Sequence, residues 1–212
     1  MNKKSSSRRT NIDYYNRKVK TRRWFLIVCE GEKTEPYYFK SFPVNPKVIK
    51  LDIKGEGRNP NSLVEKAISL KNDSEFDETD RFWCVFDRNK NPNNPNDSQN
   101  FNSAITLARN NGIDVAYSND AFELWYLLHF HFYNTGISRK DYQNMLTQLL
   151  GQEYKKNSKT IYEDLKDKQQ DAIKHAERLL KEYDRPNPES DNPSTTVHLL
   201  VEELNSFIPK GS

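Results

Sequence analysis

The sequence predicts an α/β fold built on a parallel sheet. Short apolar runs, typical of strands buried on both faces, alternate with segments of helical spacing from Trp24 to about Phe132. Two of these runs, residues 24–29 and 81–86, each end abruptly at an acidic residue. Alternation of strand and helix favours parallel strands joined by right-handed crossovers. The carboxyl ends of such strands meet at one edge, where open α/β sheets bind their ligands.

Four segments are predicted as the strands of this sheet. The first, residues 24–29, is continuously apolar, and the third, 81–86, is apolar after Arg81. The second, 48–54, alternates apolar and polar residues and stops at a Gly-Glu-Gly turn. The fourth, 113–117, follows Gly112, which is expected to end the preceding helix. The expected sheet therefore has four parallel strands.

Helical spacing marks the segments between these strands. Thr34 or Lys33 is placed to open the first helix, and later helices are predicted at 62–70 and 101–109. Residues 122–132 are very apolar, and their length and their leucines favour a single buried helix over a strand. Helices should therefore cover both faces of the sheet.

Beyond the fourth strand the chain is predicted to be almost wholly helical. Helices are expected at 140–150, at 160–165 continuing to 183, and at 196–207. A loop with three prolines, 185–193, precedes the last of them, and the Asn-Pro-Ser sequence at 192–194 is a good helix-start signal. The predicted division of the chain is a basic flexible arm at 1–23, an α/β core at 24–133, a helical extension packed on the core at 134–208, and a disordered end at 209–212.

The composition suits a globular protein with one sizeable core. The chain has 212 residues, of which 30% are charged and 12% aromatic. No apolar run approaches the roughly 20 residues that cross a bilayer, and no signal-type segment follows Met1, so we expect no membrane partner. Cys29 and Cys84 lie in predicted buried strands and are interpreted as core residues of a reducing compartment. A cytoplasmic location is therefore expected.

The net charge of +3 conceals a strongly basic beginning. Residues 1–23 contain nine Lys or Arg and one acid for a net charge of +8, which leaves −5 for the rest of the chain. An arm of this kind, with Tyr14 and Tyr15, suits contact with the phosphate backbone of DNA or RNA. A solvated tail that keeps the protein soluble would have the same composition, and the sequence leaves both interpretations open.

Acidic residues follow the predicted strands at the edge where ligands are expected. Glu30 and Glu32 follow the first strand, Asp87 the third, and Asp120 and Glu123 the fourth. Converging carboxylates repel one another unless a cation neutralises them. Oxygen ligands select Mg²⁺ or Mn²⁺ over zinc, and two such ions can activate a water and stabilise the leaving oxygen of a phosphodiester. The pattern thus predicts a magnesium or manganese site.

Three cations lie near these acids in the sequence and are candidates for binding a phosphate. Lys33 lies just after the first strand, Arg58 after the second and Arg88 after the third. Lys33 is otherwise explained by pairing with a neighbouring acid. Glu30 and Glu32 have an alternative too, as turn residues that favour the N-terminus of the next helix. Glu32 and Glu35 are secondary candidates as metal ligands, and Glu35 is otherwise explained as a residue of that helix.

Four strings of residues together resemble one known family. They are CEGEKTE at 29–35, VFDRN at 85–89, SNDAFELWYLLHF at 118–130 and NPSTTVHLLVEEL at 192–204. In combination they resemble the RloB-like proteins over roughly residues 24–204. That resemblance implies a Toprim domain and an association with bacterial restriction and abortive-infection loci.

The resemblance also implies roles for particular residues. Toprim proteins carry a Glu after the first strand and a D-x-D motif after the third, so Glu30 matches the Glu and Asp87 the first Asp. The second Asp position is occupied by Asn89. An amide can offer its carbonyl oxygen to Mg²⁺ but brings no charge. Glu123 could supply the missing charge, or it could be a first-turn residue favoured by the helix dipole.

Two functions follow from this resemblance. The leading one is a Toprim-type nuclease that uses Mg²⁺ or Mn²⁺ to hydrolyse DNA or RNA in bacterial defence, with Glu30, Asp87 and Glu123 as catalytic residues. The alternative is a catalytically degenerate Toprim module that senses nucleic acid or nucleotides, or acts as partner to other proteins of a defence locus. Intact Glu30 and Asp87 favour the enzyme, and Asn89 favours the sensor.

Overall fold

The structure, a computed structural model, describes residues 22–73, 76–88 and 97–209, with the backbone alone described for 97–99. Within these residues the strands are β1 Arg23–Cys29, β2 Ile49–Gly55, β3 Arg81–Asp87, β4 Asp114–Asn119 and β5 Ser194–Thr195. The helices are α1 Thr34–Lys40, α2 Pro60–Asn72, α3 Asp97–Asn110, α4 Glu123–Leu127, α5 Arg139–Leu150, α6 Ile161–Leu165, α7 Gln169–Leu180 and α8 Val197–Asn205, with a 3₁₀ turn at Lys166–Lys168.

The strands form one sheet in the order β2-β1-β3-β4-β5. The first four run parallel, and β5 pairs antiparallel with β4. From β1 the chain crosses outward to β2 and then returns to β3 on the other side of β1. The gap between the carboxyl ends of β1 and β3 is therefore the point where the strand order reverses, which is where open α/β sheets place their ligands.

The interior strand β1 is buried on both faces, as its sequence predicts. Phe25, Ile27 and Cys29 contribute to one hydrophobic cluster, whereas Leu26 and Val28 contribute to the other. All five side chains are completely buried. A strand in this position needs apolar residues at every position because successive side chains point to opposite faces of the sheet.

Helices cover both faces of the sheet and make it a three-layer structure. One face packs against α2 and α3, which contribute Leu63 and Phe101. The other face packs against a larger cluster that draws on α1 and on the helices after β4, with Trp125 and Leu200 among its buried residues. Residues on both sides of position 133 belong to this one cluster, so the chain after β4 shares the core of the sheet.

Tyr38 of α1 lies at the centre of the aromatic contacts in the larger cluster. Its ring centroid lies 5.3 to 6.0 Å from those of Phe39, Phe42, Phe122, Tyr126 and Tyr162. Aromatic pairs in such edge-to-face arrangements contribute about 0.5–1.5 kcal/mol each beyond the area that they bury. This packing fixes α1 against the core and thereby fixes the residues at the beginning of that helix.

The four predicted strands are confirmed as parallel neighbours in one sheet, but the predicted count of four is wrong within the described residues. The fifth strand, β5, lies in the region that the sequence predicts to be almost wholly helical. The Ser118 and Thr195 hydroxyls lie 3.0 Å apart across the β4–β5 pair, and Thr195 Oγ1 donates to the Tyr117 carbonyl at 3.0 Å. A strand of only two polar residues has no hydrophobic periodicity that could be detected in the sequence. Its pairing with β4 depends on tertiary contacts.

The single helix predicted for residues 122–132 is also wrong, because α4 ends at Leu127. The hydrogen bonds change at His129. Its backbone N–H donates to the carbonyl of Tyr126, three residues back, at 3.2 Å, while its ring Nδ1 donates to the Trp125 carbonyl, four residues back, at 2.9 Å. The backbone thus tightens to the three-residue spacing that often ends a helix. Burial lowers the pKa of His129 to about 4, so the ring is neutral at neutral pH.

The remaining helices follow the predictions with changes at their ends. The helix predicted from 160 to 183 is interrupted by the 3₁₀ turn at Lys166–Lys168 and ends at Leu180. Cys29 and Cys84 are free thiols buried in the core, as predicted. In the described part of the chain, no helix is both long and apolar enough to cross a membrane. Most of the basic arm, residues 1–21, lies outside the described residues.

Candidate active site at the β1–β3 edge

The carboxyl ends of β1 and β3 are tied together by Glu30. Its backbone N–H donates to the Val85 carbonyl at 2.8 Å, and its carbonyl accepts from the Gly57 N–H at 2.9 Å. The backbone at Glu30 is therefore bonded to neighbouring chain on both sides. Its carboxylate Oε2 accepts the backbone N–H of Asp87 at 2.9 Å. The acid that ends β1 and the acid that ends β3 are thus joined by a direct hydrogen bond.

A small cavity of about 150 Å³ opens at this junction. Its walls bring together the ends of β1 and β3 with the beginnings of α1, α4 and α5 and with the loop after α5. Four carboxyl groups and two cations line it, an excess of two negative charges when all are ionised. The complete lining is Glu30, Gly31, Thr34, Glu35, Asp87, Phe122, Glu123, Arg139 and Lys156.

Glu35 reaches into this cavity because residue 31 is a glycine. A Cβ atom on Gly31 would overlap with Glu35 Oε2 and lie 2.8 Å from the carboxyl carbon. The Glu35 residue is only 5% exposed. Burial raises its pKa to about 7, and the neighbouring Glu30 and Glu123 charges act in the same direction. At neutral pH this carboxyl group is therefore poised between its protonated and ionised forms.

Asp87 lies in an environment that disfavours its ionised form. Burial raises its pKa well above the usual value, and the charges of Glu35 and Glu30 raise it further. Arg139 acts in the opposite direction, with Nη2 3.4 Å from Asp87 Oδ2. Burial also raises the pKa of Glu30. Ionised carboxylates at this edge are thus unfavourable unless positive charge is nearby.

Glu123, the first residue of α4, completes the acidic lining. Its side chain is 3% exposed, and its Oε1 accepts from the Tyr154 hydroxyl at 3.3 Å and from Gln143 Nε2 at 3.4 Å. Lys156 Nζ lies 3.7 Å from the same oxygen. The carboxylate is therefore held by donors from the helical region rather than by the sheet.

The two cations of the lining come from the chain after β4. Arg139 begins α5, where Ser138 caps the helix by accepting the Asp141 N–H. Its Nη2 donates to Asp87 and also to the Asp120 carbonyl at 3.0 Å. Lys156 lies in the loop after α5. That loop is fixed to the start of α1 because the Thr34 hydroxyl donates to the Lys156 carbonyl at 3.0 Å.

The donor set fits part of a magnesium or manganese site. Glu30 and Asp87 offer carboxylate oxygens, the ligands that hard divalent cations prefer. A cation would also relieve the repulsion that raises the pKa of Asp87. Among the residues that the structure describes, no group of three or more His, Cys, Asp or Glu side chains is close enough to form a complete metal site. Asn89, the predicted third ligand, lies outside the described residues.

The three cations predicted from sequence to bind phosphate do not line the cavity. Lys33 is exposed immediately before α1. The Arg58 Nε lies 3.4 Å from Glu56 Oε2 in a partly exposed ion pair. The Arg88 side chain is 6% exposed and pairs with Glu189 at 3.4 Å. Each cation thus lies outside this cavity, and their predicted role in phosphate binding stays a prediction.

Two residues of the cavity region were not singled out from the sequence. Arg139 and Tyr154 gave no signal, because a helix start and an isolated tyrosine are common surface features. Lys156 belongs to a basic cluster with Lys155 and Lys159, for which the sequence leaves two interpretations, a solvated face and contact with a phosphate. What distinguishes these residues is their distance from Asp87 and Glu123, and that distance is set by the packing of the helical region on the sheet.

One comparison with known proteins gives a match. The family model described as RloB-like protein matches residues 25–204. Of the strands and helices that the structure describes, the match leaves out only Arg23 and Trp24 of β1 and Asn205 of α8. No significant match was found among curated proteins or among solved structures.

Proposed function

The chain belongs to the RloB-like protein family, and we propose that it is a nuclease of the Toprim type that uses Mg²⁺ or Mn²⁺ to hydrolyse a phosphodiester of DNA or RNA. The observation that carries this proposal is the hydrogen bond between Glu30 and Asp87 at the point between β1 and β3 where the strand order reverses. Glu123 lines the same cavity. Acidic residues at this place in a parallel sheet match the Toprim arrangement of a Glu after the first strand and an Asp after the third.

The proposed roles follow from the geometry. Glu30 and Asp87 would hold the cation, with the side-chain amide oxygen of Asn89 as a further, neutral ligand. When bound, the cation supplies Lewis acidity, and it lowers the pKa of a coordinated water. Glu123 holds its carboxylate toward the cavity through Tyr154 and Gln143. It is thereby suited to orient a water or a substrate hydroxyl. The burial of these groups strengthens each electrostatic contact by excluding solvent.

The biological setting is proposed from the family resemblance and the charge distribution. We place the protein in the cytoplasm, in a bacterial defence or abortive-infection locus, with other proteins of that locus as partners. The basic arm, with a net charge of +8 over residues 1–23, would supply sequence-independent attraction to the nucleic-acid backbone. Affinity for the substrate would then come from the arm and the chemistry from the acidic edge.

The proposal is tested by incubating the purified chain with labelled single- and double-stranded DNA and RNA. Each substrate is offered with EDTA, with Mg²⁺ and with Mn²⁺. We expect cleavage only with a divalent cation. Glu30→Gln and Asp87→Asn should each lower the rate at least about a hundredfold, because each removes a charged ligand. Glu153→Gln is the matched control, since that acid is 76% exposed and lies outside the cavity.

Cleavage that persists in EDTA, or in both site variants, would contradict the proposal. Nucleic-acid binding without cleavage under any condition would favour the second function, a sensor or partner module without catalysis. The specific observation that favours this alternative is Asn89, which stands where Toprim nucleases carry the second Asp. A sensor of this kind should bind nucleic acid equally well in EDTA and in Mg²⁺.

A further inference from the structure

We propose that Arg139 and Lys156 form a phosphate-binding site in the cavity that Glu30 and Asp87 also line. The ligand class is the phosphodiester of a nucleic acid. This inference rests on the proposed function and adds to it the residues that hold the substrate. Neither residue follows a strand, and neither matches a position of the Toprim motif, so their assignment comes from their placement in the folded chain.

Arg139 has the geometry of a phosphate clamp. Its Nη2 makes both of its hydrogen bonds, to Asp87 Oδ2 at 3.4 Å and to the Asp120 carbonyl at 3.0 Å. Its Nε and Nη1 make no hydrogen bond within the described part of the chain. The side chain is 31% exposed. A guanidinium held at one corner in this way can present its remaining donors to two oxygens of a phosphate.

Lys156 lies on the same cavity and is anchored by its backbone. Its carbonyl accepts the Thr34 hydroxyl at 3.0 Å, which holds the loop against the start of α1. Its ammonium group is 3.7 Å from Glu123 Oε1, longer than a hydrogen bond, and the side chain is 52% exposed. The backbone of Lys156 is therefore fixed in position, while its side chain remains able to reach an anion at the mouth of the cavity.

Both ion pairs join a partly exposed cation to a buried carboxylate, at 3.4 Å for Arg139 with Asp87 and at 3.7 Å for Lys156 with Glu123. Each cation can therefore move to a substrate only where another positive charge takes its place beside the carboxylate. A divalent cation on Asp87 would neutralise the carboxylate that holds Arg139 and would repel the guanidinium. The same event that completes the metal site would thus release a cation to bind a phosphate oxygen. Metal binding and phosphate binding are therefore expected to be positively coupled.

Arg139 and Lys156 are also placed to stabilise negative charge on a phosphoryl group. Asn89 in place of a second Asp leaves fewer carboxylates to hold a second divalent ion. Arg139 and Lys156 bring two positive charges to the cavity that the sheet residues line. Fixed side-chain cations can stabilise the charge that develops on a phosphoryl group, as a second metal ion does.

The test measures binding and cleavage separately. Fluorescein-labelled eight-nucleotide single strands of DNA and RNA are titrated with protein, and their anisotropy is followed in EDTA and in Ca²⁺. Cleavage of the same strands is measured in Mg²⁺ and Mn²⁺. Arg139→Gln and Lys156→Gln should each weaken binding in Ca²⁺ about tenfold, because each removes a charge-assisted contact. Arg139→Lys should lose part of that affinity, since lysine keeps the positive charge but lacks the planar guanidinium that donates to two oxygens at once.

Matched controls lie next to each residue in the chain. Lys140 is exposed on α5 beside Arg139, and Lys155 lies beside Lys156 and pairs with Glu153. Neither control residue lines the cavity. Lys140→Gln and Lys155→Gln remove the same net charge, so they report the effect of general electrostatic attraction alone. Thermal melting of every variant shows whether the fold is retained.

The outcomes separate this inference from the proposed function. Cleavage by the unaltered protein, with Arg139→Gln and Lys156→Gln indistinguishable from their controls, would overturn the phosphate site and leave the nuclease standing. Absence of cleavage, together with a selective binding loss in these two variants, would support the phosphate site and refute the nuclease. A protein that neither binds nor cleaves would refute both.

Discussion

The Oε2 atom of Glu30 accepts the backbone N–H of Asp87 at 2.9 Å, so the acid that follows β1 satisfies the backbone at the end of β3. This bond joins two strands whose acids are separated by 57 positions in the sequence. It gives Glu30 a structural role beside any role in holding a cation. The two roles are separable because only one of them needs a negative charge.

The first prediction separates those roles by comparing Glu30→Gln with Glu30→Ala. Gln retains a carbonyl oxygen for the Asp87 N–H, whereas Ala leaves that donor without its partner. We expect Glu30→Ala to unfold with about 1–2 kcal/mol less free energy than Glu30→Gln in urea denaturation at pH 8. Both should lose divalent-metal affinity by calorimetric titration. Equal free energies of unfolding would mean that solvent replaces the bond without cost.

The second prediction concerns pH and Glu35. Its pKa is about 7 in the folded protein against 4.5 for an unperturbed Glu. Below pH 4.5 both the folded and the unfolded chain are protonated here. Between these two values the folded chain retains a proton that the unfolded chain loses, so stability falls as pH rises, by up to about 3 kcal/mol. The raised pKa values of Asp87 and Glu30 act in the same direction.

We therefore expect the melting temperature without metal to be lower at pH 8 than at pH 5.5, and Glu35→Gln to reduce that difference. Mg²⁺ should raise the melting temperature more at pH 8, where the carboxylates are ionised, than at pH 5.5. Glu153→Gln, at an exposed position, is the control and should leave the pH dependence unchanged. An unaltered pH dependence in Glu35→Gln would show that other groups are responsible.

The third prediction tests the contact between Gly31 and Glu35. Gly31 does not have a positive φ, so alanine is acceptable to the backbone and only the added methyl group matters. That group would overlap with the Glu35 carboxyl and force it out of its buried position. Gly31→Ala should cost about 1–3 kcal/mol of unfolding free energy in the unaltered chain. It should cost much less in a Glu35→Ala background. Equal costs in both backgrounds would contradict the contact.

The fourth prediction concerns the basic arm. Deleting residues 1–20 removes most of its positive charge and almost no aliphatic side chain, so little buried area is lost. The melting temperature should stay nearly constant, while nucleic-acid binding weakens and its salt dependence becomes less steep. The measurement is the affinity for a labelled oligonucleotide across a series of salt concentrations. An unchanged slope would reject contact between the arm and phosphates.

The sequence was a reliable guide wherever the signal is local. The continuous apolar run of β1 predicts burial on both faces of the sheet, and the structure confirms it. Asp87 at the end of β3 was predictable for the same reason. Gly112 ends the helix before β4, as predicted, and has the positive φ of 62° that glycine adopts at no steric cost. These features depend on neighbouring residues only.

The sequence was a poor guide where a contact joins distant segments. Arg139 lies 52 residues from Asp87, and nothing near it in the sequence marks it as part of an acidic site. Arg88 follows Asp87 directly, yet its side chain turns away to pair with Glu189, 101 residues later. The leucines of residues 122–132 predict a longer helix than α4, which ends at Leu127. The backbone beyond it changes to three-residue spacing, as in the hydrogen bond from the His129 N–H to the Tyr126 carbonyl.

The last prediction addresses Asn89, where the chain departs from the Toprim motif. Asn89→Asp adds a carboxylate two residues from Asp87, with little change in volume. In a protein that uses a cation at this edge, the added charge should tighten Mg²⁺ and Mn²⁺ binding in calorimetric titration and raise nuclease activity. In a sensor without metal, the same charge adds only repulsion to groups whose pKa values are already raised. That protein should lose stability at neutral pH and recover it on acidification. Nucleic-acid cleavage and thermal melting at pH 5.5 and 8 distinguish the two outcomes. A variant with unchanged metal affinity but lower activity would contradict both and would assign a direct role to the amide.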